Sequence, residues 1–170
     1  SGIELPERTG AVGSPARSEE LGQTWYEGNV LNVAIGQDNT QVTPLQLANY
    51  IVTLLNGGDH FVPHLLKSVK SSDYSETVYE QQPEVKNHIA LDPANVEAVK
   101  RGMWEVANDP KSTVDQYLSN LAVEVGAKTG SAQVSAQTES NAVFVCFAPY
   151  DDPEIAVAIA VEHGGSGSGL

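Results

Sequence analysis

Cysteine is almost absent from this 170-residue chain, which contains only Cys146. A single cysteine excludes an internal disulfide and a zinc site built from several thiolates. Cys146 lies in the apolar run 142–147, and we interpret it as a small core residue rather than a reactive thiol. The four histidines show no spacing typical of metal ligands, so we predict no metal site and no cofactor: His60, His64, His88 and His163.

Basic residues and long apolar runs are also scarce. The chain has 9 Lys and Arg against 22 Asp and Glu, a net charge of −13. Nucleic acid would be repelled, so we exclude it as a partner. No apolar run is longer than that from Ile155 to Val161, which is too short to span a bilayer, and we expect no membrane contact from this segment.

The composition that remains, 41% apolar and 18% charged residues, is that of an ordinary folded chain. We divide it into an irregular segment at 1–30, a mainly helical region at 43–121 and antiparallel strands at 124–162. The Gly-rich stretch 164–169 is predicted to be flexible. Together, residues 1–170 are expected to form part of a single domain.

Two helices are marked by caps. The first begins after Thr43 with Pro44 and stops at Asn56, and the second begins after Asp92 and ends at Asn108. A shorter helix is predicted at 113–121, and short strands at 64–70 and 76–80. The buried face of the second helix is predicted to contain Val96, Val99, Met103, Trp104 and Val106.

The last third predicts three consecutive strands, at 124–134, 141–148 and 154–162. Their short connections favour an antiparallel meander. The fold class is therefore α+β, an antiparallel sheet with flanking helices.

The candidate site is Lys128-Thr129-Gly130-Ser131, followed by Gln133, inside the first of these strands. A lysine on a strand offers a positive charge to a carboxylate, and neighbouring hydroxyls add donors. Gly130 lets a substrate backbone approach closely. The N–H of Ser131 is suited to stabilise an oxyanion. The competing interpretation is a solvated lysine on a sheet edge.

Several segments in order make the sequence resemble the penicillin-binding protein transpeptidase domain, and the resemblance covers most of the chain. The segments that carry it are 2–7, Ile35-Gly36-Gln37, Val42 to Ala48, Asn56-Gly57-Gly58, Pro63-His64, Lys128 to Gln133 and Asn141 to Val161. The third motif of this group is Lys-Thr-Gly. The resemblance implies a partial penicillin-binding transpeptidase or serine β-lactamase-like fold.

The resemblance also implies a chemistry. In this family a serine attacks the penultimate D-Ala carbonyl of a peptidoglycan stem peptide, and β-lactams acylate the same serine. By that likeness Lys128 and Thr129 shape the site, and Gly130 lies within it. Ser131 would bind the carboxylate and supply one oxyanion N–H, and Gln133 would line the groove.

The sequence departs from the family where the nucleophile should be. No Ser or Thr has Lys three positions later, and no Ser has Asn two positions later. We therefore assign no catalytic residue in this chain, and expect a C-terminal portion whose parent is a serine-type D,D-transpeptidase. The isolated chain is expected to be inactive. The alternatives are a β-lactam sensor or serine β-lactamase-like domain, and a non-catalytic binding or scaffold domain.

The location and assembly of the parent follow from the same likeness. We expect it on the extracytoplasmic face of the bacterial cell membrane, held by an N-terminal transmembrane helix that is absent here. The first strands and central helix of the fold would come from outside this sequence. The chain would then expose apolar surface, through which it is expected to self-associate.

Overall fold

The computed structural model describes residues 1–134 and 137–169. The helices are α1 (Pro15–Glu20), α2 (Glu27–Ala34), α3 (Pro44–Leu55), α4 (Pro93–Asn108) and α5 (Asp115–Leu118). The strands are β1 (Asp59–Phe61), β2 (Ser68–Lys70), β3 (Thr77–Glu80), β4 (Val85–His88), β5 (Gly126–Ala132), β6 (Asn141–Ala148) and β7 (Ile155–Val161). Helices combined with antiparallel strands make this an α+β fold, as the sequence predicts.

The main sheet is the predicted meander, with strand order β5-β6-β7 and antiparallel pairing throughout. Lys128 lies opposite Val145, which lies opposite Ala158. The central strand β6 has the bounds expected from the sequence, and the outer strands are one or two residues shorter at each end.

This register gives the sheet two distinct faces, because successive side chains of a strand point to opposite sides. The first, called here the helix face, carries Gly126, Lys128, Gly130, Val143, Val145, Phe147, Ala156, Ala158 and Ala160. The second, called the open face, carries Ala127, Thr129, Ser131, Ala142, Phe144, Cys146, Ile155, Val157, Ile159 and Val161.

Helices α3 and α4 cover the helix face. Ile51 of α3 and Met103 of α4 pack with the fully buried Phe147, and Ala156 borders this cluster. The small alanines of β7 let α3 come close to the sheet. Helix α4 also reaches the β5 side of the open face, where Ala107 packs in a second buried cluster with Ala127 and with the partly buried Phe144 and Cys146.

The open face is less covered at its β7 end. There the exposed fractions of the side chains are 61% for Ile155, 40% for Val157, 45% for Ile159 and 38% for Val161. These are large apolar residues on a strand that has no partner on its outer side within the described residues. Such a row of side chains fits the prediction that the chain exposes apolar surface.

The predicted helix starts are confirmed. The Thr43 hydroxyl accepts from the Gln46 N–H at 3.2 Å, and the Gln46 side chain accepts from the Thr43 N–H at 2.9 Å. Asp92 accepts from the Ala94 N–H at 2.8 Å at the start of α4. The predicted buried face of α4 is wrong at Val99, which is 46% exposed.

Other boundaries needed correction. Segment 1–30, expected to be irregular, contains α1 and the first half of α2. Both helices are short, and α1 depends on a local cap, in which the Ser14 hydroxyl accepts from the Arg17 N–H at 3.1 Å. The helix expected at 113–121 is a single turn, α5. That residues 1–170 form part of one domain stays a prediction.

The region 43–121 contains more strand than expected. Strand β1 pairs with β4 and β2 pairs with β3, both antiparallel. Strands β2 and β3 lie inside the segments predicted from alternation, whereas β1 and β4 were not predicted. They are short and make their pairs across about 25 residues, which local alternation does not reveal. No helix of the described residues is both long and apolar enough to cross a membrane.

Candidate functional site

The outer edge of β5 presents backbone groups on the side away from β6. The carbonyl of Thr129 accepts from Lys128 Nζ at 2.5 Å, and the carbonyl of Ser131 accepts from Gln37 Nε2 at 3.5 Å. In an antiparallel strand the N–H and C=O of one residue point the same way. The N–H groups of Thr129 and Ser131 therefore also face outward, as an added peptide strand or an oxyanion requires.

Lys128 lies on the helix face beside a mainly apolar cavity of about 430 Å³. Its ammonium bends back to the carbonyl of the next residue in its own strand. The cavity lies between α3, α4 and the sheet and is lined by Leu47, Ile51, Leu54, Met103 and Val145. A single cation at the border of an apolar cavity is suited to hold an anionic group whose neighbours are apolar.

Thr129 and Ser131 lie on the open face, across the strand from Lys128. Thr129 lines a shallow hollow together with the C-terminal end of α4. Gly130 has space for a side chain, since a Cβ there would meet only Val143 at 3.7 Å. Packing among the described residues therefore does not require glycine at 130. Gln133 is exposed and directly follows the end of β5.

The Gly-rich segment 164–169, predicted to be flexible, instead packs on the site strand, so that prediction is wrong. The N–H of Gly165 donates to the carbonyl of Ser140 at 2.8 Å. Gly167 is buried, and its N–H donates to the hydroxyl of Ser131 at 3.3 Å. The glycines of this segment suggested a flexible backbone. Because glycine has no side chain, however, it also lets the backbone pack closely against a strand.

Sequence reasoning therefore missed two residues that contact Ser131. Gln37 was included only as part of a family-like motif, and its position 94 residues before Ser131 gave no sign of contact. Gly167 lies in a stretch whose composition suggested the opposite of burial. The spacing of glycines in 164–169 was the one available signal, since a chain crossing close to a strand favours glycine.

The histidines, Cys146 and Trp104 make contacts that stabilise the fold rather than form a site. Nδ1 of His88 lies 2.8 Å from a carboxylate oxygen of Asp59, and Nδ1 of His60 lies 2.8 Å from Asn87 Oδ1, both within the β1–β4 pair. Burial raises the pKa of the Cys146 thiol, which agrees with a packing role. Trp104 donates to Glu124 at 3.0 Å. Over the ranges 1–134 and 137–169, no group of three or more His, Cys, Asp or Glu side chains is placed to hold a metal.

The fold and this edge strand define a class, an antiparallel sheet with a Lys-Thr-Gly strand beside packed helices. The family model described as "Penicillin binding protein transpeptidase domain" matches residues 4–170. The chain belongs to this transpeptidase family.

Individual relatives agree. The chain is 31% identical over 185 residues to the peptidoglycan D,D-transpeptidase MrdA of Escherichia coli K12, covering 98% of this chain and 29% of that protein. It is similar to the crystal structure of Pseudomonas aeruginosa PBP2 in complex with WCK 5153, with a TM-score of 0.76 and 36% identity. That likeness covers 96% of this chain and 36% of the other chain.

A third likeness is to penicillin-binding protein A of M. tuberculosis in an imipenem acyl-enzyme complex. The TM-score is 0.69 with 27% identity, covering 96% of this chain and 36% of the other. In each comparison this chain spans roughly a third of the relative or less.

Proposed function

We propose that this chain is the C-terminal part of a D,D-transpeptidase that cross-links peptidoglycan stem peptides by serine acyl transfer and binds β-lactams. The observation that carries the proposal is the Lys128-Thr129-Gly130-Ser131 strand. It forms the outer edge of the sheet and lies beside an apolar cavity, in a chain of the transpeptidase family. Membership of the relatives in peptidoglycan synthesis supports the reaction class.

The nucleophile comes from outside this sequence, which contains no Ser-x-x-Lys. In the proposed reaction a serine of the longer protein attacks the carbonyl carbon of the penultimate D-Ala. The terminal D-Ala leaves with a proton on its amine, and an acyl-enzyme ester remains. An amine of a second stem then attacks this ester, which forms the cross-link and returns the proton to the serine.

Each site residue takes a distinct part in this reaction. Lys128 supplies positive charge for the terminal carboxylate, and the hydroxyls of Thr129 and Ser131 add donors. The outward N–H of Ser131 stabilises the oxyanion of the tetrahedral intermediate together with the N–H of the serine itself. Gly130 keeps the strand free of a side chain although packing would admit one. Gln133 lines the groove beyond the strand.

The setting of the parent protein follows from its substrate. Because peptidoglycan lies outside the cytoplasmic membrane, we place the domain on the extracytoplasmic face, anchored by a transmembrane helix in another part of the longer protein. The partners are the D-Ala-D-Ala end of a stem peptide and β-lactams that resemble it.

The test is acylation by a fluorescent penicillin, followed by a denaturing gel. We expect a labelled band for the longer protein and none for residues 1–170 alone, since the ester needs the missing serine. Lys128→Ala in the longer protein should slow labelling about 10- to 100-fold, the loss of one charge-assisted hydrogen bond.

Lys70→Ala, on the exposed strand β2, is the matched control and should label at the normal rate. An unlabelled longer protein would refute the proposal. Labelling followed by rapid release of hydrolysed penicillin would instead indicate a β-lactamase.

A further inference from the structure

The segment from Gly164 to Gly169, called here the strap, crosses the open face of the sheet next to the site. It follows β7 and is fixed where it begins. The N–H of His163 donates to Asn141 Oδ1 at 3.0 Å, and the N–H of Gly165 donates to the carbonyl of Ser140 at 2.8 Å. Asn141 is the first residue of β6 and Ser140 directly precedes it, so the start of the strap is anchored beside the central strand.

Gly167 is the point where the strap touches the site strand. It is buried, and a Cβ built on it would lie 2.4 Å from the carbonyl oxygens of Gly130 and Val143 and 2.9 Å from the Gly130 nitrogen. These neighbours are backbone atoms of two paired strands, which have little freedom to move aside. Any larger residue at 167 must therefore lift the strap or push on the strand.

The contact also fixes one side chain. The N–H of Gly167 donates to Ser131 Oγ at 3.3 Å. A hydroxyl has one proton to donate and two lone pairs to accept with. Because Oγ accepts from the strap, its own proton stays available for a ligand, and accepting a hydrogen bond polarises the O–H group.

We propose that Gly167 is a positioning residue for Ser131, acting through the backbone of Gly130 and the Ser131 hydroxyl. The strap holds the strand from the open face and leaves the outward N–H groups free. Ser131 thereby presents both of its donors, N–H and O–H, in a fixed relation to each other. The proposal rests on the proposed function, since it assigns a support to the same site.

The experiment measures acylation of the longer protein by a fluorescent penicillin in stopped flow, which separates the binding constant from the acylation rate constant. Gly167→Ala is expected to lower the acylation efficiency, which is the acylation rate constant divided by the dissociation constant, about 10- to 100-fold. Small displacements of catalytic groups cost about this much. Gly169→Ala is the matched control. Its Cβ would meet only the Ser166 carbonyl at 3.7 Å, so it should behave as wild type.

A double-mutant cycle distinguishes positioning from general loss of structure. If Gly167 acts through Ser131, then Gly167→Ala should have much less effect on acylation efficiency in a Ser131→Ala background than in wild type. Equal effects in both backgrounds would overturn the proposal. So would a Gly167→Ala protein with wild-type acylation constants.

Asn141→Ala gives a second route if Gly167→Ala does not fold, because it removes one anchor of the strap without adding atoms. We expect about a fivefold loss in acylation efficiency, the value of one ordinary hydrogen bond. Asn120→Ala, in an exposed turn, is its control. An unchanged Asn141→Ala enzyme would then overturn the proposal, whereas a wild-type protein that is never acylated would refute the proposed function instead.

Discussion

The two faces of the β5-β6-β7 sheet belong to the same three strands but differ in what covers them. The helix face carries glycines and alanines beside Phe147 and is closed by α3 and α4. The open face is covered by α4 and α5 beside β5 and by the strap near Ser131, but it leaves the β-branched residues of β7 exposed. The small residues of the helix face let α3 and α4 pack closely on it. Large exposed apolar residues such as those of β7 are instead typical of a surface that another protein segment covers.

The site strand uses both faces and the edge between them. Lys128 projects to the helix face, Ser131 to the open face, and the outward N–H groups lie along the edge. A ligand that contacts all three must lie along the strand edge rather than on either face.

The largest expected effect contrasts a phenylalanine on each face. Phe147→Ala should lower the free energy of unfolding by about 3–5 kcal/mol, because the ring is fully buried under both helices. Phe144→Ala, on the open face and only partly buried, should cost about 1–2 kcal/mol. Urea denaturation of residues 1–170 measures both. Equal losses would show that the faces are covered to the same extent.

A second prediction concerns the exposed row on β7. We expect residues 1–170 to self-associate through the open face, because four exposed apolar side chains lie there on β7, whose outer side has no partner strand among the described residues. Ile159→Lys should weaken the association at least about tenfold, given the value of burying one isoleucine. Sedimentation velocity over a range of concentrations measures this.

The matched control for that variant is Val78→Lys on β3, because the Val78 side chain is 68% exposed. It adds the same charge away from the sheet and should leave the association unchanged. A wild-type chain that is monomeric at every concentration would contradict the prediction. Equal weakening by both variants would point to net charge rather than to the open face.

Local signals explain what could be predicted from the sequence. The starts of α3 and α4 depend on Thr43 and Asp92, whose caps involve residues within three positions. The bounds of β6 follow from its apolar run. The direction of each β5 carbonyl depends instead on register with β6, and the contacts of Ser131 with Gln37 and Gly167 join positions 94 and 36 apart.

Amino-acid composition gave a wrong prediction where the same residue type is compatible with two different structures. Glycine in 164–169 permits both disorder and close packing, and only the crossing over Gly130 decides between them. In the same way the motif strand was recognisable from Lys128 to Ser131, whereas its support was not. The residues proposed to bind the substrate are recognisable in the sequence more readily than those proposed to hold them in place.

The smallest expected effect is a pH-dependent loss of stability in the turn between β2 and β3, which lies outside the main sheet. The hydroxyls of Ser71 and Ser75 donate to Asp73 at 2.6 and 2.8 Å and lower the pKa of its carboxyl to about 2. A carboxyl whose pKa is lowered on folding stabilises the fold above its unfolded pKa, about 3.9, and this contribution is lost as pH falls towards 2.

Acid in this window should therefore loosen the β2–β3 turn while both faces of the main sheet keep their packing. NMR titration of the Asp73 carboxyl, read together with the backbone amide of Ser75, measures the change. Ser71→Ala removes the strongest donor and should raise the Asp73 pKa towards its ordinary value. If the NMR signals of the β6 amides shift over the same pH range as that of Ser75, the turn and the main sheet are coupled. The comparison of the two faces must then include this turn.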